Sequence, residues 1–289
     1  MSRHRRNARG RGARRAAFVV GVVALVLSLV SAAWAVFTDT ATVTAGPTAS
    51  AAFTSGTLNP PGTPTAAQTS ATSPLTVTWT AASVTGGGGG VAPSGYEVFR
   101  YSAAVDGTAT SVCTTTTALS CTTTAPATGS GFYGVRAKLG STWIRDSGRL
   151  TWMDALGPTV TFTRPTAGLS LAAGLLARAV TTDCGAGFLA CGTASDSSTL
   201  ASAQYRFVRN SNQCWNGSAW VGIGTVACAN NAYQAGTLTV GNPATTSTWR
   251  VPGTASTAYT LLTGYVLSVR VTDVAGRVTE SSISFSTVL

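Results

Sequence analysis

The chain has 289 residues and a net charge of +10, and seven of its 19 basic residues are arginines within the first fifteen positions. The other 12 basic residues are set against 9 acidic ones, too small an excess for the basic face that nucleic-acid binding requires. The only histidine, His4, lies in the arginine-rich segment. The rest of the chain is therefore excluded from Ser-His-Asp and Cys-His catalysis and from most zinc sites.

Threonine and serine dominate the composition, with 77 of the 289 residues, whereas charged residues make up only 10%. Threonine favours strands because its side chain branches at Cβ. Apolar residues still account for 44% of the chain, which is enough to build a folded core. The composition therefore predicts a folded protein rich in β-structure.

Residues 1–35 predict an export signal. A basic segment precedes Ala16–Val36, an uncharged run of 21 residues that as a helix spans a bilayer core of about 30 Å. Ala33-Trp34-Ala35 supplies the small residues that a signal peptidase recognises, so cleavage is predicted between Ala35 and Val36. An uncleaved membrane anchor over 16–36 is the alternative, because the run is longer than the usual core of a signal peptide.

The segment after this run combines a small-residue site with Val36-Phe37-Thr38-Asp39, and FTSGTL follows at 53–58. This pattern resembles the cleavage region of the camelysin and TasA-type secreted proteins of Gram-positive bacteria. The resemblance covers about 25 residues and implies export through a dedicated signal peptidase. The later sequence departs from the TasA-type jelly roll, so fibre formation is kept only as an alternative function.

Prolines mark the end of an extended segment and linker that is predicted over 36–63. Beyond it, short segments separated by Gly, Ser and Pro turns alternate apolar with polar residues. Leu75, Val77 and Trp79 share one face, and 133–139 alternates likewise. This alternation, repeated every 10 to 20 residues or so, is typical of an antiparallel β-sandwich.

Residues 64–154 resemble a fibronectin type III domain. The matching features, in the family's order, are a strand-B tryptophan, Trp79, a glycine-rich loop, Gly86–Gly90, and the strand segments Tyr96–Arg100 and Tyr133–Ala137. No Gly-Lys-Ser/Thr follows the glycines, so a flexible loop is predicted there and not a phosphate site.

Residues 157–289 resemble a bacterial Ig-like domain, through an entry strand at 157–165, a Gly-Thr-Ala-x-Asp segment at 192–196 and a closing hairpin at 265–286. The stretch 167–180 has the Leu and Ala content of a helix, but its two glycines weaken that interpretation, and the resemblance implies strands A and B. The predicted fold class is all-β, with two tandem antiparallel β-sandwiches after an N-terminal hydrophobic helix.

All six cysteines lie in the exported part, and an even number in an oxidising compartment predicts disulfides. Proximity along the chain favours three local pairs, Cys113 with Cys121, Cys184 with Cys191, and Cys214 with Cys228. Their separations of 8, 7 and 14 residues are too wide for CxxC redox or zinc motifs. Each bridge is expected to stabilise the fold by about 2 to 3 kcal/mol in the chain-entropy model.

The segment CWNGSAW (214–220) predicts a β-hairpin, because Asn216-Gly217 is the preferred two-residue type I′ turn. In that register, Trp215 and Trp220 form a diagonal pair on one face. Two exposed indoles would make a sugar-stacking platform, with Trp249 as a further candidate, whereas two buried ones are core. Core packing is the favoured interpretation, and a ligand-stacking role stays open as the alternative.

The acidic residues show no catalytic pattern: the sequence has no closely spaced carboxylate pair and no G-x-S-x-G or H-E-x-x-H motif. We therefore expect no enzyme activity, no catalytic metal and no cofactor. Asp183, Asp196 and Asp273 could gather at one end of the Ig-like domain as a calcium site. Turn capping by single aspartates is favoured over that role.

These features predict a non-catalytic, structural or adhesive protein that is extracellular or displayed on the cell surface. Its expected partner is a protein or polysaccharide of the cell envelope or extracellular space, with no nucleic acid, and it would contact a membrane only through the N-terminal segment. Two alternatives stay open, a carbohydrate-binding accessory module and a subunit of an extracellular matrix fibre that assembles through residues 36–58.

Overall fold

The computed structural model describes residues 56–86, 91–222, 233–240 and 245–289. Strands dominate these residues, and the larger sheets are built mainly of antiparallel pairs. Buried apolar side chains form two large and separate cores, one between Leu58 and Trp152 and the other between Ala173 and Phe285. The predicted fold class is therefore confirmed for this part of the chain, as an all-β protein with two sandwich units in tandem.

The first unit contains one larger and one smaller sheet around a shared core. Its described strands are β1 (Gly56–Leu58), β2 (Thr65–Ala67), β3 (Leu75–Thr78), β4 (Val84–Gly86), β5 (Gly95–Tyr101), β6 (Ala109–Thr115), β7 (Ser120–Thr123), β8 (Ser130–Leu139), β9 (Trp143–Asp146) and β10 (Leu150–Met153). The larger sheet has the order β10-β8-β5-β6, with β9 also paired to β8. The smaller sheet has the order β2-β3-β7, and β1 pairs with β4.

The alternation predicted from the sequence is confirmed in this core. Leu75 and Val77 are fully buried on β3, and Tyr133, Val135 and Ala137 are buried on β8. Successive side chains of a strand point to opposite faces, so every second residue enters the core. The same five side chains belong to one cluster, which shows that the two sheets face each other.

The N-terminal predictions fall mostly outside the described residues. These include the hydrophobic helix over 16–36, the cleavage site at Ala35 and Val36, and most of the extended segment. Among the residues that the structure describes, no helix is long and apolar enough to cross a membrane. The segment predicted as a linker contains one strand that belongs to the first unit. This strand, β1, pairs with β4, and its Leu58 is buried in the first core.

The second unit also contains two sheets, and two helices accompany them. Its described elements are β11 (Thr159–Arg164), β12 (Ser170–Ala172), α1 (Ala173–Cys184), β13 (Phe188–Ser195), β14 (Leu200–Arg209), β15 (Gln213–Trp215), β16 (Trp220–Gly222), β17 (Gln234–Ala235), β18 (Thr237–Val240), β19 (Thr246–Pro252), α2 (Ala255–Ala258), β20 (Gly264–Asp273) and β21 (Val278–Val288). One sheet has the order β11-β13-β19-β18. The other has the order β12-β21-β20-β14-β15-β16, with β17 on β14, and its β20-β21 pair is the predicted closing hairpin.

The prediction of strands throughout 167–180 is wrong, because α1 occupies most of that stretch after the short strand β12. Leu176, Val180 and Cys184 are buried at intervals of four residues, the spacing that places side chains on one face of a helix. Gly174 falls in the first helical turn, and a Cβ there would meet nothing within 4 Å. The apolar stripe therefore outweighs the low helix propensity of this glycine.

The predicted two-residue turn at Asn216-Gly217 is also wrong. Trp215 lies directly opposite Trp220, so the turn contains four residues, 216–219. The Asn216 side chain explains the longer turn, because its Oδ1 accepts hydrogen bonds from the N–H groups of Ser218 (3.0 Å) and Ala219 (2.8 Å). An asparagine that bonds to the backbone in this way builds a turn by itself.

Two of the predicted disulfides are present in the described residues. Cys113–Cys121 joins β6 to β7 and so links the two sheets of the first unit. Cys184–Cys191 ties the end of α1 to β13 in the second unit. Cys214 is disulfide-bonded as well, and Cys228, its predicted partner, lies outside the described residues.

Candidate metal centre at the junction of the two units

Loops of the two units contact each other through main-chain hydrogen bonds. The Ser197 N–H donates to the Ala71 carbonyl at 2.5 Å, and the Thr199 N–H donates to the Ala127 carbonyl at 2.8 Å. The acceptors belong to two different loops of the first unit. These bonds therefore join one loop of the second unit to two loops of the first.

Three aspartates converge at this junction. Asp154 directly follows β10 of the first unit, Asp196 directly follows β13, and Asp273 is the last residue of β20. Each is buried, with at most 2% of its surface exposed, and one carboxylate oxygen of each lies within 4.8 Å of the others. Since buried carboxylates are costly without compensating partners, this cluster is a candidate site for a bound cation.

One oxygen of each aspartate organises its own loop. Each Oδ1 accepts a hydrogen bond from a main-chain N–H group two or four positions further along the chain. The donors are Leu156 for Asp154 (3.0 Å), Ser198 for Asp196 (3.1 Å) and Arg277 for Asp273 (2.8 Å). These bonds are the turn-capping contacts that the sequence favours for Asp196 and Asp273. They fix the direction of each carboxylate and leave its second oxygen for another role.

Two of those second oxygens have no hydrogen-bond partner in the structure. They are Oδ2 of Asp196 and Oδ2 of Asp273, and both are buried. None of the four ion pairs found among the described side chains involves any of the three aspartates. A buried acceptor without a partner costs about 1 to 3 kcal/mol, and more when it is charged, so such a group indicates a bound water or ion.

A further polar side chain enters the same centre. The Ser197 Oγ lies 3.3 Å from Asp154 Oδ2 and 3.4 Å from Asp196 Oδ1, and 3.5 Å from Oε1 of Gln68 in the first unit. A hydroxyl has one proton to donate, so it cannot satisfy all three oxygens at once. The Ser198 hydroxyl also donates to Asp196 Oδ1, at 3.3 Å, so the donors of the junction reach Oδ1 of Asp196 and leave its Oδ2 without a partner.

The pKa of Asp196 reports the burial and the negative charge of this cluster. Burial, together with repulsion from the Asp154 and Asp273 carboxylates, raises this pKa from 3.8 to about 6, although the N–H groups of Ser198 and Ser197 act in the opposite direction. At neutral pH the metal-free folded state therefore carries an unfavourable negative charge at the junction.

We expect the chelator-treated protein to gain stability as the pH falls from 7 to 5. The pKa of Asp196 is higher in the folded than in the unfolded state, so the folded state binds the proton more tightly. The stability that this proton adds is fully present below about pH 4 and is lost as the pH rises through about 6. The expected gain in the free energy of unfolding is about 1 kcal/mol, measured by urea titration in EDTA. Asp196→Asn cannot titrate and should lack this increment; an undiminished increment in the variant would contradict the assignment.

The structure changes one member of the aspartate group suggested by the sequence. Asp183 does not join Asp196 and Asp273, because it lies at the end of α1, where Arg164 Nε contacts its Oδ2 at 2.5 Å. The sequence predicted only that Asp183 could lie at the same end of the domain as the other two, and it did not predict the helix that carries this residue. Asp154 takes its place in the cluster. The one feature of the sequence that could have pointed to Asp154 is its position as the last residue of the first predicted domain, next to the predicted boundary.

The tryptophans proposed as ligand-stacking residues lie against the second core. Trp215 is 3% exposed, and its Nε1 donates to the Pro252 carbonyl at 3.0 Å. Trp220 is half-buried, its Nε1 donates to the Ala258 carbonyl at 2.8 Å, and the two rings meet edge-on with centroids 5.5 Å apart. Trp249 is fully buried. These positions match the core-packing interpretation, and a carbohydrate site at Trp215 and Trp220 stays a prediction.

No protein-family model matches the chain, and no curated protein sequence matches it either. Among solved structures, the fibronectin(III)-like modules of CbhA from Clostridium thermocellum are 15% identical in sequence, and the alignment covers 81% of this chain and 94% of the module chain with a TM-score of 0.23. A likeness at this level carries no functional argument. The sheets and cores themselves define the class, a tandem β-sandwich protein, and the assignment of the units to the fibronectin type III and bacterial Ig-like families stays a prediction.

Proposed function

We propose that the chain is an exported, non-catalytic protein of the cell surface or extracellular space, whose two sandwich units form a spacer and contact surface. The observation that carries the proposal is a disulfide within each unit, Cys113–Cys121 in the first and Cys184–Cys191 in the second. Such bonds form and persist in oxidising compartments. The basic and apolar leader predicted over 1–35 supports the same destination.

The placement of the acidic side chains supports a non-catalytic role. Outside the junction, four carboxylates each form an ion pair, namely Glu97 with Lys138, Asp146 with Arg136, Asp183 with Arg164 and Glu280 with Arg270. A glycosidase needs two carboxylates that face each other across a cleft. These four are instead paired with cations, the three junction aspartates are buried, and Asp106, the one other described acidic residue, is exposed between β5 and β6 with no second carboxylate paired to it across a cleft.

The junction supports the spacer role. Independent domains joined by a bare linker move relative to one another, whereas these units share the hydrogen bonds of Ser197 and Thr199 and a buried polar centre. A pair of sandwiches held in one orientation would present the outer loops of one unit at a defined distance from those of the other. Those loops would contact a protein or polysaccharide of the cell envelope.

Intact mass and N-terminal sequencing, under non-reducing conditions, test the export part of the proposal on protein from the cell envelope and the culture medium. We expect a chain that begins at Val36 with all six cysteines oxidised. An intact leader confined to the membrane fraction would support the anchored form. Recovery from the cytoplasm with free thiols would contradict export.

Sedimentation of the purified, processed protein with isolated cell envelopes tests the contact role. Retention that is lost after the envelopes are treated with protease would indicate a protein partner, and retention that survives the treatment would indicate a polysaccharide. Absence of retention on both preparations would contradict the contact role and leave the spacer role alone.

A further inference from the structure

We propose that Asp154, Asp196 and Asp273 bind one Ca²⁺ ion, and that this ion locks the first sandwich unit against the second. This inference rests on the geometry of the junction and does not depend on the proposed export of the chain. Its structural basis is three buried carboxylates, with one oxygen of each within 4.8 Å of the other two.

The donor set selects a hard cation. The cluster offers carboxylate oxygens, with the hydroxyl of Ser197 and the side-chain amide oxygen of Gln68 beside them. Ca²⁺ takes six to eight oxygen ligands at about 2.3 to 2.6 Å, so two of its ligands can be as far as about 5 Å apart, and the observed separations fit that limit. Zinc and copper sites favour imidazole or thiolate ligands, which this cluster lacks.

The irregular origin of the ligands favours Ca²⁺ over Mg²⁺. Mg²⁺ demands a near-ideal octahedron at about 2.0 to 2.1 Å and usually retains several waters. Here the carboxylates come from the ends of three different strands, and each is already oriented by a hydrogen bond to its own Oδ1. Ca²⁺ tolerates such a fixed and irregular set of oxygens because its coordination is flexible.

The unpartnered oxygens are the independent sign of a ligand. Oδ2 of Asp196 and Oδ2 of Asp273 are buried without a hydrogen-bond donor, on side chains that are each only 2% exposed. Turn capping explains Oδ1 of these residues and does not explain Oδ2. The nearby Arg277 offers no compensation through its Nε, because that group donates to the main-chain carbonyl of Asp154 at 2.8 Å.

The position of the ligands makes the ion a link between the units. Asp154 belongs to the first unit, whereas Asp196 and Asp273 belong to the second. The complete ligand set therefore exists only when the two units are docked. A ligand that binds only this docked state stabilises it by mass action, so Ca²⁺ would rigidify the pair.

Isothermal titration of the chelator-treated protein with CaCl₂ tests the site. We expect one Ca²⁺ per chain, with at least 10-fold weaker binding in Asp196→Asn and in Asp273→Asn. Asp183→Asn is the matched control, since it removes an acidic residue of the same unit that lies outside the cluster, and it should bind as the parent does. Far-UV circular dichroism in EDTA establishes that each variant is folded.

Three outcomes of this titration would overturn the Ca²⁺ assignment. The first is no binding by the folded parent at millimolar CaCl₂, which would leave a shared proton as the explanation of the cluster. The second is binding by both asparagine variants with the affinity of the parent. The third is an equal affinity for MgCl₂ in a parallel titration.

Differential scanning calorimetry tests the link between the units. With Ca²⁺ at about 100 times its dissociation constant, we expect the unfolding temperature to rise by about 5 to 10 °C, with both units included in the shifted transition. In Asp154→Asn, whose ligand comes from the first unit, Ca²⁺ should no longer shift that unit. A shift of the second unit alone in the parent protein would overturn the bridging role.

Discussion

Gly192→Ala is expected to unfold the second unit, at a cost of about 4 kcal/mol or more. Gly192 lies on β13, between β11 and β19. A Cβ at this position would lie 1.9 Å from the Thr161 carbonyl oxygen and 2.4 Å from Cζ2 of Trp249. The missing side chain is what lets the Trp249 indole cross the strand and donate to the Thr161 carbonyl at 3.1 Å.

Urea unfolding and limited proteolysis measure this effect. Because the two cores are separate, we expect a protease-resistant fragment of the first unit to survive in the variant. Gly264→Ala is the matched control, since Gly264 also lies on a strand of the second unit and a Cβ there meets nothing within 4 Å. Equal stability of the two variants would show that β13 can move away from the indole.

Trp215→Ala is expected to destabilise the second unit by about 3 to 5 kcal/mol, the range for removing a buried aromatic side chain. The substitution deletes an indole that is 3% exposed, the hydrogen bond to the Pro252 carbonyl and the edge-on contact with Trp220. The free energy of urea unfolding, followed by circular dichroism, gives the magnitude directly.

Trp143→Ala serves as the control for this measurement. Trp143 is half-buried on β9 of the first unit. Trp143→Ala therefore removes less buried apolar area than Trp215→Ala does, and it does not touch the second core. We expect a loss of about 1 kcal/mol, confined to the first unit. A loss at Trp215 as small as this one would contradict its core role.

The burial of Trp215 also changes how a carbohydrate-binding test must be designed. A Trp215→Ala, Trp220→Ala double variant would lose retention on a polysaccharide through unfolding, even without any sugar site at these rings. The test therefore requires a stability measurement on the same variant. Loss of retention by a variant that is still folded is the result that would support the carbohydrate alternative.

The inferred Ca²⁺ site and the proposed spacer role reinforce each other. A spacer is useful only if its units do not fold back on one another, and a bridging ion would maintain their orientation. Extracellular calcium modules bind at about 10⁻⁴ to 10⁻³ M, so an ion of this affinity would be bound outside the cell and released inside it.

Much of the fold was predictable because strand periodicity is a local property. The burial of Leu75 and Val77 follows from alternation along one strand, and the β20-β21 hairpin follows from a turn motif between two alternating segments. The two observed disulfides were predictable for a related reason, since cysteines only 8 and 7 residues apart have few other partners within reach.

Predictions failed where the local residue pattern allowed two conformations and a contact in the folded structure decided between them. Leu and Ala between 167 and 180 were compatible with both helix and strand, and the choice of helix depends on the core face that Leu176 and Val180 cover. The turn at Asn216 likewise depends on whether its side chain bonds to Ala219. Neither contact is visible in the pattern of residue types alone.

The sequence by itself determined the β-sandwich class, the two observed local disulfides and the concentration of arginines within the first fifteen residues, because each depends on neighbouring residues or on composition. Only the tertiary structure decided that Asp154 joins Asp196 and Asp273, which lie 42 and 119 positions further along the chain. Their convergence depends on how two separately folded units dock. An aspartate that only caps a turn and an aspartate that could also bind a cation have the same sequence context. They are distinguished only by the burial of the side chain and by the lack of a hydrogen-bond donor to its second oxygen.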